Sequence, residues 1–250
     1  MITLRMEFKK IRHKRIGLTM CALMGIQFAW LLWATRNPSE EEQLQGWLGN
    51  LQTQPLLCAI MMPTIMSVLA SRLADIEHKG NTYKQLKTLR TAGALYDAKL
   101  LCGFLFILAM NAADYLFLIM LGYRHGYIGN PNPKAYLFSF ILQTVCCLSL
   151  YLLQLNLSIL FFNQMIPLVV GLCGSMLGVI LMYLKTYSFL PWGGFLSSAL
   201  VLMDWNPDTR VIRYYYRDFS SVELSALSMI FVWIVVFYAA GRILFTRKES

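Results

Sequence analysis

Residues Glu77–Lys99 read EHKGNTYKQLKTLRTAGALYDAK, a polar and basic segment that separates two apolar runs. The run before it covers 51–73 and the run after it covers 98–121. A transmembrane helix needs about 20 mostly apolar residues, so either run can cross a bilayer. The pattern predicts two antiparallel membrane helices joined by an exposed loop over 74–97.

The composition extends this interpretation to the whole chain. Apolar residues make up 57% and charged residues 14%, with a mean hydropathy of +0.53, which is typical of a polytopic membrane protein and unusual for a soluble domain. Six windows are apolar enough for a span: 16–35, 51–73, 98–121, 137–162, 166–184 and 224–245. We expect one all-α domain over 1–250 with six transmembrane helices and little room for a separate soluble domain.

The positive charges predict the orientation. Lysine and arginine near span ends are retained on the cytoplasmic side. With this topology, fifteen lysine and arginine residues lie on the same side as both termini. Seven lie on the opposite side, which also holds Glu40, Glu41 and Glu42. We therefore expect a multi-pass protein of the plasma membrane with cytoplasmic N- and C-termini. The net charge of +9 points to anionic lipid headgroups rather than nucleic acid as its counterpart.

The segment 1–15 has the pattern of a helix lying in the membrane interface. Met1, Leu4, Phe8 and Ile11 recur at helical spacing, and basic residues occupy the other faces. The segment either anchors the topology or contacts a cytosolic partner. The first apolar run is longer than a signal-peptide core and lacks a small-residue cleavage site, so we expect it to remain as the first span.

The sequence gives no support for a metal site, an intramembrane enzyme or nucleotide binding. The six cysteines lie inside apolar spans without C-x-x-C spacing or nearby histidine, so we expect small buried side chains and no metal site. His13, His78 and His125 lie outside the spans, away from any intramembrane nucleophile, which disfavours an intramembrane enzyme. The chain contains no G-x-x-x-x-G-K-[ST] motif, so it has no usual means of binding a nucleotide.

Asp114 is the ionisable residue that lies well inside an apolar window, and Asn111 precedes it by one turn on the same helix face. By helical rise, Asp114 lies about 10 Å from the outer end of the third span, a depth that permits partial hydration. Two interpretations remain open. The residue makes an interhelical hydrogen bond or lines a wet vestibule, or it contacts a substrate or proton.

Two further features concern helix packing and the outer surface. Gly171, Gly174 and Gly178 form a small-residue seam in the fifth span, for packing within the chain or at a subunit interface, and only Asn163–Met165 separates the fourth and fifth spans. The outer loop over 185–223 contains an apolar stretch, 195–203, that is too short to cross and should dip into or lie on the interface. We select Trp192, Asp204 and Arg213 as outer-loop candidates, while an aromatic belt with snorkelling arginines explains the same pattern without a substrate.

In layout and in one loop, the chain resembles the permease subunits of ABC-2 type transporters, especially the small permeases of lantibiotic and bacitracin self-protection systems. The matching residues are Glu77, Gly80, Thr82, Leu86, Leu89 and Lys99. The resemblance implies that this cytoplasmic segment, with Tyr83 among its apolar contacts, is a coupling helix that binds a nucleotide-binding subunit. A basic inner loop of this length also occurs in polytopic proteins of other kinds.

The resemblance also implies partners and cargo. It implies cytosolic ATPase subunits that bind ATP and Mg²⁺, a second permease that is identical or related, and an antimicrobial peptide as cargo. For a cationic peptide, Glu40, Glu41, Glu42, Asp204 and Asp208 offer acidic contacts. The chain itself is then neither an enzyme nor the holder of a cofactor. The competing hypothesis is a proton-coupled secondary transporter using Asp114, although the sequence shows no inverted repeat.

Overall fold

The computed structural model describes residues 15–36, 40–80, 92–184, 190–205, 212–217 and 224–247. Their helices in chain order are α1 (Ile16–Ala34), α2 (Glu40–Leu44), α3 (Gly46–Gly80), α4 (Ala92–Arg124), α5 (Pro133–Leu160), α6 (Met165–Leu184), α7 (Gly194–Ser197) and α8 (Leu224–Arg247). A 3₁₀ turn, Pro191–Gly193, precedes α7, and strands β1 (Val201–Trp205) and β2 (Ile212–Tyr216) lie between α7 and α8. The predicted interfacial helix over 1–15 lies outside the described residues, apart from Arg15.

Five helices of the described part, namely α1, α3, α4, α5 and α8, are long and apolar enough to cross a membrane. The predicted fifth span corresponds to α6, which is apolar but shorter over the part with described side chains, Met165–Leu181. Long apolar segments become helices in lipid because every backbone N–H and C=O must find a partner within the segment. The count of six spans stays a prediction.

Helices α3 and α5 form the centre of the bundle. About two-thirds of the span window of α3 is buried, against 11% in α8, and α3 packs mainly against α5 and α6. It remains one helix despite Pro55 and Pro63, since neighbouring helices in a membrane protein can satisfy the carbonyls that a proline leaves free. The outer helices α1 and α8 expose broad apolar faces suited to lipid or to another subunit.

The glycine seam of α6 packs within this chain. A Cβ on Gly171 would meet the side chain of Ser67 and the carbonyl of Pro63, both in α3. A Cβ on Gly174 would meet the indole of Trp192, and one on Gly178 the carbonyl of Trp192 at 3.1 Å. The small residues therefore let α3 and the 3₁₀ turn approach α6 closely.

The expectation of a purely helical protein is wrong at one end of the bundle. β1 and β2 form an antiparallel hairpin, with Val201 opposite Tyr216 and Asp204 opposite Arg213. The apolar stretch over 195–203 therefore does not form a single interfacial segment but divides between α7 and β1. The hairpin docks on the bundle through the Tyr214 amide, which donates to Gln45 Oε1 at 2.8 Å.

We call this the hairpin end; α2 and the α4–α5 connection lie there too. The opposite end, called the termini end, holds the first residues of α1, the last turn of α3, the first turn of α4, the α5–α6 connection and the last turn of α8. One boundary there differs from expectation. Phe161 is extended, with φ −99° and ψ 128°, so α5 ends at Leu160 and the connection to α6 runs from Phe161 to Gln164.

Candidate functional site

The polar side chains inside the bundle converge on Asp114 of α4. Gln27 from α1, Gln54 from α3, and Gln143 and Thr144 from α5 join Asn111 and Asp114 in one cluster, which we call the Asp114 cluster. Asp114, Gln27 and Gln54 are each 0% exposed. Four helices therefore meet at one buried polar centre.

The amides of two neighbouring helices donate to the carboxyl group. Gln27 Nε2 donates to Asp114 Oδ1 at 3.1 Å and to Oδ2 at 3.2 Å. Gln143 Nε2 donates to Asp114 Oδ2 at 3.2 Å and to Asn111 Oδ1 at 3.0 Å. The side chain of Gln54 also lies close enough to the carboxyl group to interact with it. The carboxyl group thus accepts hydrogen bonds from amide groups of two neighbouring helices.

Asn111 and Gln54 extend the network to either side. Asn111 Nδ2 donates to Thr144 Oγ1 at 3.0 Å, while Gln54 Nε2 donates to Gln143 Oε1 at 3.5 Å and to Cys58 Sγ at 3.4 Å. Among the residues that the structure describes, no lysine, arginine or histidine forms an ion pair with Asp114. Within the described residues, the carboxyl group is therefore held by hydrogen bonds from neutral amide groups.

Asp114 is completely buried within the chain. Its helix continues to Arg124, ten residues further, so by helical rise it lies about 15 Å from the end of α4. The interhelical hydrogen bonds support the first of the two interpretations, and a contact with substrate or proton stays untested.

A small cavity adjoins the cluster. It measures about 10 Å³ and is lined by Gln143, Ser139 and Tyr115 on one side and by Phe195, Ser198 and Leu200 of the hairpin end on the other. That volume is about the size of one water-sized sphere. It separates the Asp114 cluster from the short elements at the hairpin end.

Sequence reasoning missed a second buried charge, Lys99. It counted Lys99 among the loop cations, whereas the structure buries this side chain completely. Lys99 Nζ donates to the Leu73 carbonyl of α3 at 2.9 Å, and the Tyr151 hydroxyl of α5 donates to the Lys99 carbonyl at 2.9 Å. The sequence offered no signal for this burial, because the apolar window starts at 98 whereas α4 starts at Ala92 and places Lys99 two turns inside the helix. Its contacts join α3, α4 and α5 in the half of the bundle toward the termini end.

The coupling residues expected in a turn are distributed differently. α3 continues to Gly80, so Glu77 and Gly80 lie in its last turn, and the prediction that the chain turns from Glu77 is wrong. Thr82, Tyr83, Leu86 and Leu89 lie outside the described residues. α4 starts at Ala92, which limits the connection between the two helices to 81–91 rather than 74–97.

The outer-loop candidates do not form one site. Trp192 is half-buried, with its indole against Gly174 of α6. Asp204 and Arg213 are opposite each other on the exposed hairpin, beside Trp205 at 55% and Tyr215 at 49% exposure. Within the described residues, no hydrogen bond joins any of the three candidates to the Asp114 cluster. Glu40 is exposed in α2, and Asp208 lies outside the described part.

An apolar groove runs along the outside of the bundle between α4, α5 and α8. Its volume is about 280 Å³, and its walls include Leu101, Phe104 and Leu148. At its polar end, the Tyr238 hydroxyl donates to Asp97 Oδ1 at 3.0 Å. The groove could accept an apolar chain or side chains from the bilayer.

His125 links α4 to α1 at the hairpin end, beyond the membrane-spanning part of α4. Its Nε2 lies 3.4 Å from Thr35 Oγ1, whose proton is donated to the Leu31 carbonyl at 2.8 Å. The imidazole is therefore the donor of the first bond. Burial, and then the neighbouring Arg124 cation, lower the pKa of His125 below its ordinary value of 6.5.

The cysteines divide into two groups. Cys58, Cys102, Cys146 and Cys147 are buried, as expected, but Cys21 and Cys173 are exposed on the helix surface, so that prediction is wrong for these two. An apolar thiol is tolerated on a face that meets lipid. Among the described residues, no three His, Cys, Asp or Glu side chains are grouped to hold a metal ion.

Comparison with known proteins gives one match. Residues 3–178, well over half of the chain, match the sequence profile of a family described as "ABC-2 family transporter protein". No curated protein and no solved structure gives a significant match. The profile covers α1 through most of α6, including the Asp114 cluster and the α3–α4 connection.

Proposed function

Because the chain belongs to the ABC-2 transporter family, and is thus a membrane permease subunit of an ABC transporter, we propose that it serves an exporter that expels an antimicrobial peptide from the membrane. The cargo is an amphipathic, cationic peptide of the lantibiotic type, and the purpose is self-protection. A separate cytosolic subunit binds ATP and Mg²⁺ and supplies the hydrolysis, since this chain lacks a phosphate-binding loop.

The observation that carries the mechanical part is the pairing of α3 and α4 at the termini end. Both helices extend beyond their apolar windows, and the buried Lys99 joins α4 to the Leu73 carbonyl of α3. A force applied to Glu77, Gly80 and the following segment would be transmitted to both helices together. Nucleotide-driven closure of the ATPases would thus tilt α3 and α4 and open the opposite face.

The charge distribution supports a termini end in the cytoplasm. The N-terminal segment, the α3–α4 connection and the C-terminal tail carry most of the lysine and arginine, which favours the cytoplasmic side, where a cytosolic ATPase would bind. The hairpin end then faces outward. The segment 81–91 acts as the coupling helix, with Thr82, Tyr83, Leu86 and Leu89 contacting the ATPase.

The hairpin supports a peptide cargo. It presents Asp204 beside exposed aromatic rings, a combination that suits a peptide with cationic and apolar side chains. The apolar groove between α4, α5 and α8 begins at Asp97, in the half of the bundle toward the termini end, and is therefore a separate surface from the hairpin. A second permease, identical or related, completes the core through the exposed faces of the outer helices.

A tolerance assay tests the cargo. Cells that express the chain with its ATPase are challenged with a cationic lantibiotic, and the inhibitory concentration is compared with that of cells in which the ATPase carries a Walker lysine-to-alanine change. We expect at least a fourfold higher tolerance in the intact system. Equal tolerance in the two strains, with both proteins present in the membrane, would contradict a lantibiotic-type cargo.

The burial of Asp114 keeps one second candidate open, a secondary transporter in which Asp114 carries a proton. Asp114→Asn separates the two. Asparagine retains hydrogen bonding but cannot ionise, so it abolishes proton-coupled transport, whereas an ATP-driven exporter with a structural Asp114 keeps most of its activity. The measurement is peptide tolerance with and without an imposed proton gradient.

A further inference from the structure

We propose that the apolar groove between α4, α5 and α8 binds one molecule of phosphatidylethanolamine, a phospholipid whose headgroup carries a primary ammonium. One acyl chain lies in the groove, the ammonium binds Asp97 and the phosphate binds Arg242. The lipid belongs to the leaflet on the side of the termini end. This inference goes beyond the proposed function and does not rest on it, because the test measures lipid binding rather than export.

The groove has the chemistry of an acyl-chain site. It measures about 280 Å³ and is lined by Leu101 and Phe104 of α4, Leu148 and Leu152 of α5, and Ile234 of α8. This face meets the bilayer, since only 11% of the span window of α8 is buried within the chain. None of the described lining residues is one of the small residues that let a second helix pack closely, so the groove suits a lipid chain better.

The groove starts near the helix ends and runs toward the middle of the bilayer. Asp97 lies five residues after the start of α4 at Ala92, and Arg242 lies five residues before the end of α8 at Arg247. By helical rise, the groove extends about 10 Å along α4 from Asp97 to Phe104, against about 15 Å for the hydrocarbon of one leaflet. A chain in the groove therefore has its headgroup beside the polar residues.

The polar end of the groove carries one charge of each sign. The Tyr238 hydroxyl donates to Asp97 Oδ1 at 3.0 Å, and Arg242 Nη1 donates to the Tyr238 hydroxyl oxygen at 3.4 Å. Because both bonds share one hydroxyl, the carboxylate and the guanidinium lie within roughly 6–7 Å of each other. Asp97 is half-buried and Arg242 is exposed, so both groups can still bind a headgroup.

The start of α4 places the guanidinium beside the groove. A Cβ on Gly93 would lie 3.2 Å from Arg242 Nε and 3.3 Å from Nη2, so the glycine leaves room for Arg242 to lie against α4. A phosphate bound to Arg242 there is also close to the first turn of α4, whose N–H groups and dipole favour an anion. Two features of the chain thus attract the phosphate to the same place.

These charges select among phospholipid headgroups. A primary ammonium has three N–H groups to donate to Asp97, and a guanidinium is well suited to phosphate. The quaternary ammonium of phosphatidylcholine has no N–H group to donate. Phosphatidylglycerol has no cation, so it leaves Asp97 without a partner and brings its phosphate close to a like charge. The site should therefore prefer phosphatidylethanolamine to both.

Two measurements on the full chain, with any subunits that co-purify, test the site. In the first, delipidated protein in mild detergent is titrated with the palmitoyl-oleoyl form of each of the three lipids, and binding is read by native mass spectrometry. We expect the Kd of the first phosphatidylethanolamine to be lower than the other two by about fivefold or more. In the second, phosphatidylethanolamine with a diazirine in one acyl chain is photo-crosslinked in nanodiscs and should label peptides that contain Leu101, Leu148 or Ile234.

The variants separate this site from general lipid binding. Asp97→Asn should raise the Kd for phosphatidylethanolamine to that for phosphatidylcholine, because asparagine still accepts from Tyr238 but no longer attracts the ammonium. Leu101→Trp fills the groove and should weaken all three lipids. The matched controls are Asp204→Asn on the hairpin and Leu116→Trp, a residue of α4 that is 68% exposed. Both should leave the three Kd values unchanged.

Several results would overturn the proposal. They are equal Kd values for the three lipids, tighter binding of phosphatidylglycerol, a preference for phosphatidylethanolamine that persists in Asp97→Asn, and crosslinks that lie outside the groove. If Asp97→Asn does not fold, Arg242→Gln decides instead. It changes an exposed side chain, removes the partner of the phosphate and should weaken phosphatidylethanolamine by about fivefold or more. Unchanged binding in Arg242→Gln would equally overturn the proposal.

Discussion

The terminal amide of Gln27 in α1 donates hydrogen bonds to both carboxylate oxygens of Asp114 in α4, over 3.1 and 3.2 Å. Only 28% of the span window of α1 is buried within the chain, so this buried pair is a major polar link between α1 and the bundle. Gln27 therefore adds a polar contact to the apolar packing that holds α1 against the bundle.

Gln27→Leu should loosen α1. The change removes two donors from a buried carboxylate, and hydrogen bonds between membrane helices contribute about 0.6–2 kcal/mol each. We expect the free energy of unfolding in mixed micelles to fall by about 1–2 kcal/mol. Leu18→Ala, on the exposed face of the same helix, is the matched control and should change it much less. Equal losses in both variants would contradict the role of the Gln27–Asp114 pair.

Gly241 in α8 should not tolerate a methyl group. A Cβ there would overlap Asn156 Oδ1 and the Tyr96 hydroxyl, which are joined by a hydrogen bond of 2.9 Å. Gly241→Ala should destabilise the protein by about 1–3 kcal/mol through overpacking. Gly25→Ala in α1 meets nothing within 4 Å and should be neutral or stabilising, since alanine is the better helix former. The Tm values of the two variants, measured by thermal unfolding under identical conditions, test this predicted difference.

His125 should make stability fall in mild acid. Its pKa is lowered in the folded protein, so folding favours the neutral imidazole. The contribution is complete above the unfolded pKa of about 6.5 and is lost as the pH falls from there through the lower folded pKa. His125→Gln keeps a neutral donor toward Thr35 and should reduce the fall in Tm between pH 7.5 and 5.5. If the Tm of His125→Gln falls between pH 7.5 and 5.5 as much as that of the wild type, His125 is not the cause of the loss of stability in acid.

The coupling assignment predicts a selective defect at the termini end. Glu77→Ala combined with Leu86→Asp should prevent assembly with the ATPase, or uncouple hydrolysis from transport, while the chain is still inserted. The matched control at the hairpin end is Glu40→Ala combined with Leu44→Asp, where Leu44 is 61% exposed. ATPase retained on the purified permease and peptide tolerance are the two readouts. Normal values of both in the first variant would refute the assignment.

The apolar windows predicted the long helices well, because an apolar run in lipid has few alternatives to a helix. Their ends were harder to predict. α3 continues through the polar stretch Glu77–Gly80, which lies past the apolar window and therefore could not be found from hydropathy. The hairpin was missed since the apolar run over 195–203 divides between two elements, although Ile212–Tyr216 is rich in the aromatic residues that favour strands.

Only some residues of the candidate site could be predicted from the sequence. Asp114 and Asn111 stand out as polar residues in an apolar window, but Gln27, Gln54 and Gln143 are single residues in three other helices. Which faces of those helices meet depends on packing over the whole bundle, and no spacing within one helix encodes it. The burial of Lys99 was not predicted for a related reason. Its position near the start of α4 suggested a solvated charge, whereas its contact with Leu73 depends on the packing of α3 against α4.

The most direct test of the central claim is to extract the tagged chain from its native membrane in mild detergent and identify the co-purifying chains and their ratio by mass spectrometry. The account predicts an ATPase with Walker motifs in stoichiometric amount, in a complex with two permease subunits. A second, related permease in equal amount would indicate a heterodimeric core, and its absence a homodimer. Recovery of the chain without any ATPase, even under gentle extraction, would contradict the account and favour the secondary transporter.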